Sequence, residues 1–162
     1  MKQINVKPIW SVLCQEASVD ANTNNISLFK VVEQLQFGLK MEELDKLKDN
    51  PKFDPAKPIT FPFASQLVIL WKNLSNTPVF EFPVKILLID PNGKIIDEMF
   101  SDFRFEEGKD RLRTIVSINM IPVTKSGDYT YSVMTKQNKN DDFEEVCSVP
   151  MRIDLDLRRD GK

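Results

Sequence analysis

With 162 residues and 22 Lys and Arg against 24 Asp and Glu, the chain has the length of one domain and a formal net charge of -2. A core of that size needs no disulfide or metal staple, and so small a mixed charge gives no long-range field for nucleic acid or an anionic membrane. Histidine is absent, which removes Ser-His-Asp and Cys-His nucleophilic machinery and the commonest zinc ligand.

The opening segment MKQINVKPIWSVLCQEASVD has a lysine where a signal peptide would, but its apolar run, Pro8 to Cys14, is short and stops at Gln15-Glu16. No stretch approaches the roughly 20 apolar residues of a membrane-spanning helix. The expected compartment is the cytoplasm, where Asn25-Ile26-Ser27 and Asn73-Leu74-Ser75 mean nothing as glycosylation acceptors.

Ile9 to Val19 reads as a first strand, Asp20 to Asn25 as a run of turn formers, and Ile26 to Phe37 as a second strand. The segment 38–60 breaks this pattern. Met41, Leu44 and Leu47 stand at helical spacing among charged residues and predict a short amphipathic helix; Pro51, Pro55 and Pro58 then keep the chain irregular. Such an insert is either a lid over one end of the core or a binding element. Phe63 to Leu74 is the third strand, with Leu67 to Trp71 apolar on both parities, as in a strand buried on both faces or packed under the insert.

Ser75 to Pro78 turns the chain into its most legible unit. Phe80, Phe82, Val84, Ile86 and Leu88 alternate, Asp90-Pro91-Asn92-Gly93 supplies a turn, and Ile95 to Phe105 returns. Leu112 to Met120 alternates next and ends at Pro122; Thr124 to Gly127 is a turn. Tyr129, Tyr131 and Val133 mark a seventh strand, Asn138 to Asp142 a polar loop, and Cys147 to Leu157 the last strand. The expectation is an all-β, immunoglobulin-like antiparallel β-sandwich of about eight strands, with one short helix between strands 2 and 3; a β-barrel is the alternative. It forms a single domain over 1–157, with the insert at 38–60 and a polar tail at 158–162. Lys125-Ser126-Gly127-Asp128-Tyr129-Thr130-Tyr131 favours the sandwich, because it resembles the approach to the penultimate strand of immunoglobulin-like domains. There a tyrosine bonds back across the corner, the role expected of Tyr129. Tyr131 stands where such domains often place a cysteine.

Residues with chemistry are few. No glycine-rich phosphate loop, G-x-S-x-G elbow or C-x-x-C pair occurs. Cys14 shares parity with Trp10 and Val12, and Cys147 with Val149 and Met151, so both thiols are expected to face the interior as small hydrophobes. A disulfide between them requires the terminal strands to pair and is not expected in a reducing compartment. Carboxylates cluster at Glu106, Glu107 and Asp110, at Asp141, Asp142, Glu144 and Glu145, and at Asp154, Asp156 and Asp160. They read as solvated faces and edge-strand charges rather than a calcium loop, since the spacing is wrong and no closing glutamate follows. Trp71 reads as core, whereas Trp10 is a candidate stacking platform. Arg104, Lys109, Arg111 and Arg113 form the densest basic group and read as balanced by Glu106, Glu107 and Asp110.

Ser11-Val12-Leu13-Cys14, Ile26-Ser27-Leu28-Phe29, Phe61-Pro62 before a long apolar strand, and Gly127-Asp128-Tyr129-Thr130-Tyr131 resemble an uncharacterised prokaryotic family of small single-domain immunoglobulin-like β-sandwich proteins. The resemblance implies that fold in a bacterial cytoplasm and brings no catalytic residue with it; the helical insert departs from the pattern. We therefore expect no enzyme, and no catalytic, cofactor-binding or metal residues. The expected activity is that of a non-enzymatic protein-binding or assembly module with an unknown protein partner, or a homo-oligomer. A carbohydrate- or small-ligand-binding domain is the alternative, and a carboxylate- or metal-dependent hydrolase ranks last.

Overall fold

Alternation decides which side of each strand is buried. The computed structural model describes residues 4–158 apart from 53, 55 and 76. In it Phe82, Val84, Ile86 and Leu88 all point from β5 (Phe80–Ile89) into one core, as the period of 2 requires. β6 (Ile95–Phe105) pairs with β5 along its whole length, across a turn in which Gly93 has φ of 78°. On the other flank of β5 runs β8 (Gly127–Thr135), followed by β9 (Glu144–Arg158), which contribute Tyr129, Tyr131, Val133, Val149, Met151 and Ile153. β3 (Gln34–Lys40) completes this sheet by pairing parallel with β9, giving the order β3-β9-β8-β5-β6.

The second sheet faces it. Its members are β1 (Val6–Val19), β2 (Ile26–Val31), β4 (Ile59–Asn73) and β7 (Arg111–Val123), in the order β2-β1-β4-β7. It sends Leu13, Leu67, Ile69, Trp71, Ile118, Ile121 and Val123 into the same core. Trp71 is fully buried, meets Phe82 edge to face at 5.2 Å, and donates its indole N–H to Thr114 Oγ1 at 2.9 Å. The two sheets share no ladder among the described residues, so the architecture is the immunoglobulin-like sandwich and not the barrel. Tyr131 fills core volume where related architectures place a cysteine.

The corner before β8 is built as its sequence implied. Tyr129 Oη accepts the amide N–H of Thr124 at 3.0 Å and of Lys125 at 3.1 Å, and donates to the Lys125 carbonyl at 2.6 Å. Thr124 Oγ1 donates in turn to Asp90 Oδ2 at 3.0 Å, tying this corner to the β5–β6 turn.

Two expectations need correction. The stretch Ile26 to Phe37 is not one strand. Val32 N–H bonds to Leu13 O in one sheet at 2.8 Å, whereas Glu33 O accepts Arg152 N–H in the other at 2.9 Å. The chain thus changes sheets between adjacent residues, and nine strands are described rather than eight. The helix, α1 (Met41–Lys48), occupies the expected connection but buries none of its residues, and β3 and β4 take up Gly38 to Lys40 and Ile59 to Thr60 from the ends of the insert. Phe53 and Pro55 of the insert, Asn76 of the next turn and 159–162 of the expected tail lie outside the described residues. Among the described residues no helix is long and apolar enough to cross a membrane.

Candidate functional site

The register of β1 corrects the placing of its thiol. Leu13 enters the core, so its neighbours Val12 and Cys14 lie on the outer face, opposite Val68 and Gln66 of β4. Trp10 joins them there, opposite Leu70, after the ladder slips at Ile9. Ile115 and Arg113 of β7 continue this outer face beyond Val68 and Leu70.

This face is not bare. Past Cys14, β1 leaves β4 and pairs with β2 alone, and the hairpin they form folds back over the outer surface as an arm. The bend coincides with Lys30, whose φ of 52° lies in the left-handed region that non-glycine residues seldom occupy. Two contacts hold the arm down. Ala17 N–H donates to Gln66 Oε1 at 2.7 Å, and at the tip Arg113 Nη2 donates to the carbonyl of Asn24 at 2.9 Å. Val68 and Cys14 consequently have no exposed surface although neither belongs to the core between the sheets. The doubly apolar strand is thus buried on both faces, and what covers it is the arm rather than the insert.

Between arm and sheet remains a crevice of about 540 Å³ lined by Val19, Asn24, Leu70, Leu112, Ile115 and the cations Lys109, Arg111 and Arg113. The alternation Arg111-x-Arg113 puts these two charges on one side of β7 while Leu112 and Thr114 turn to the core side, and Lys109 joins them from the loop before the strand. Arg113 Nε is shielded from solvent and has no hydrogen-bond partner among the described residues. The expected balancing by acids holds for Arg104, but among the described residues no carboxylate comes within ion-pair reach of Lys109, Arg111 or Arg113. Arg104 lies in the other sheet, where it pairs with Glu81 and Glu106 at 3.5 and 3.7 Å, while Asp110 lines a neighbouring recess with Asn73 and Pro78, to which Lys109 also contributes. For the other three cations, closeness in sequence to Glu106, Glu107 and Asp110 does not become an ion pair. The alternate spacing of the three cations was the signal that could have revealed the site.

A second recess, of about 480 Å³, opens under α1 between Leu39, Leu47, Ile59 and Phe61, with Glu43, Lys52, Asp54 and Lys57 at its rim. Glu43 accepts the Lys40 amide at 3.2 Å and fixes the start of the helix.

The remaining candidates are dispersed. Burial pushes the Cys14 thiol up; burial also raises Cys147, against a lowering contribution from Ser11. Cys147 faces the core as expected, from the sheet opposite Cys14, and both are free thiols. Among the carboxylates, Asp141 caps Asn138, Glu145 accepts from Ser132, Asp154 meets Arg152 at 3.3 Å, and Asp156 meets Arg158 at 2.9 Å. Asp160 lies outside the described residues. Among the described residues no three His, Cys, Asp or Glu side chains gather into a group able to hold a metal.

No family model matches this sequence, and no curated protein matches it. Solved structures of similar arrangement include the C-terminal domain of wzt, at 13% identity over 93% of this chain and 74% of that one, with a TM-score of 0.45. Another is an immunoglobulin-like protein of Pseudomonas aeruginosa, at 8% identity over 94% and 99% of the two chains, with a TM-score of 0.37. Likeness at this level says nothing about activity.

Proposed function

We propose that this protein is a non-enzymatic binding module of the cytoplasm, and that its recognition site is the crevice between the β1–β2 arm and the outer face of the four-stranded sheet. The observation that carries this reading is the arm itself. A hairpin folded back over its own sheet and tied at Gln66 and Arg113 still leaves about 540 Å³ open, within the range of small-ligand sites. Two unpaired thiols suit a reducing compartment. Amide shifts in an NMR screen of small molecules test it. Hits that move Val19, Asn24 and Ile115 support the reading; hits confined to other surfaces, or a turnover lost on mutating a carboxylate, overturn it.

A protein partner is the second reading, favoured by the outer face of the five-stranded sheet. There Phe100 is 61% exposed, edge to face with Phe143, and the Lys85 ammonium lies 5.3 Å from its ring. An exposed aromatic flanked by cations is a common anchor for association, with a second copy or another chain. Phe100→Glu lowers any concentration-dependent sedimentation if this face self-associates, and leaves it unchanged if it does not.

A further inference from the structure

Resting on the crevice as the recognition site, we infer that its ligand is a small amphipathic anion: a phosphate or carboxylate head on an alkyl or aryl body.

The charge pattern beside the crevice is unusual for a protein of net charge -2. Lys7 of β1 stands opposite Lys72 of β4, which stands opposite Arg111 of β7, so three cations form one row across three neighbouring strands. Like charges directly opposite on adjacent strands repel, and each such pair is destabilising. Lys109 and Arg113 flank the row within the crevice. Among the described residues none of these five side chains has a carboxylate within ion-pair reach. Repulsion left uncompensated inside the chain is compensated when an anion is bound, and hydrogen bonds from ammonium and guanidinium donors to an anionic acceptor are among the stronger ones.

The walls decide against a bare anion. Val19, Leu70 and Ile115 offer apolar surface next to the cations, and their area is wasted on inorganic phosphate. A nucleic acid or an anionic membrane would engage the exposed lysines without entering the space beneath the arm. A single head group on a short apolar body uses both halves of the site.

The test is calorimetric titration with octyl phosphate and decanoate, with amide shifts recorded in parallel, on the wild type and on Lys72→Glu and Arg111→Glu. Lys72 and Arg111 are exposed, and a glutamate at 72 would sit between two cations, so Lys72→Glu is expected to raise the unfolding midpoint while weakening octyl phosphate at least tenfold. A merely structural lysine would not move stability and affinity in opposite directions. Support requires that at least one amphiphile shifts Val19, Asn24 and Ile115, weakens with added salt, and loses tenfold or more in the variants. The inference falls if both variants bind as the wild type does, if inorganic phosphate binds as tightly as octyl phosphate, or if an oligonucleotide or phosphatidylglycerol vesicles bind without shifting the crevice walls. It also falls if neutral octyl glucoside binds equally well at the crevice, an outcome that leaves the crevice standing as the recognition site. Absence of any shift there with every probe removes both.

Discussion

Gly127 begins β8 hard against the ring of Pro91: a Cβ at position 127 would lie 2.7 Å from Pro91 Cγ and 2.9 Å from its Cβ. The β5–β6 turn and the corner before β8 can therefore close on each other only over a bare glycine. The same closure brings Asp90 to Thr124 and Thr124 to Tyr129, so the hairpin turn and the tyrosine corner form one structural knot.

Gly127→Ala should cost about 1–3 kcal/mol, since its φ of 149° already suits glycine and the ring of Pro91 must also move. Gly93 is the control: its φ is 78°, but no described atom lies within 4 Å of where a methyl would stand, so Gly93→Ala should cost only about 1 kcal/mol. Urea midpoints compare the two. Equal losses would show that contact with Pro91 does not set the corner.

Tyr129→Phe keeps the buried ring and removes one oxygen that serves two amides and one carbonyl. Thr124 and Lys125 are exposed, so water recovers part of the loss, and a cost of about 1–2 kcal/mol is expected. Hydrogen exchange should quicken at those two amides. A variant as stable as the wild type would reduce the corner to a packing feature.

Acid should loosen the same knot. Burial works against the charge of Asp90, but the amides of Lys94 and Asn92, the Thr124 hydroxyl and the Lys125 ammonium outweigh it and hold the carboxyl below its ordinary value. A folded value below the unfolded one means that the stabilisation is complete above the unfolded pKa of about 3.9 and is lost as pH falls from there through the folded one. The thermal midpoint of Asp90→Asn should thus change less than that of the wild type on acidification from about pH 5 to about pH 2. Parallel curves would assign the acid loss to other carboxylates.

Both thiols should be slow nucleophiles in the native protein, because burial raises them and the thiolate is the reactive form. Disulfide-exchange labelling at about pH 8 is expected to reach Cys147, which is only half-buried, before Cys14. Urea should make the two equally fast. Fast native labelling of Cys14 would mean that the arm lifts from the sheet readily, since Cys14 lies beneath the bend.

Strands and corner were legible because period-2 alternation and the Gly-Asp-Tyr turn are local signals. Tyr129 and the hairpin around Pro91 could be read from a handful of neighbouring residues. What alternation cannot state is which layer buries a face. Trp10, Val12 and Cys14 alternate as well as any core strand, yet their side is covered by an arm of the same chain. The break at Val32-Glu33 was likewise silent, because a strand that changes sheets keeps its extended backbone and its apolar residues. The crevice was not legible in the sequence for a related reason: Lys109, Arg111 and Arg113 sit near acids in sequence, but the strand pairings send Arg104 to the other sheet and bring Lys7 and Lys72 in from afar.

The parallel pairing of β3 with β9 carries a kinetic consequence. Gln34 Nε2 donates to Asp154 Oδ2 at 2.6 Å across 120 positions of chain, and among the described residues β9 is the only partner β3 has in its sheet. On the ribosome, the edge of β3 waits exposed until nearly everything between has been made, and closing so long a loop is entropically slow. During that interval Leu35 and Phe37, which finally pack against the core, are open to a neighbouring nascent chain. The window for misassembly thus opens when β3 is made and closes when β9 docks on it.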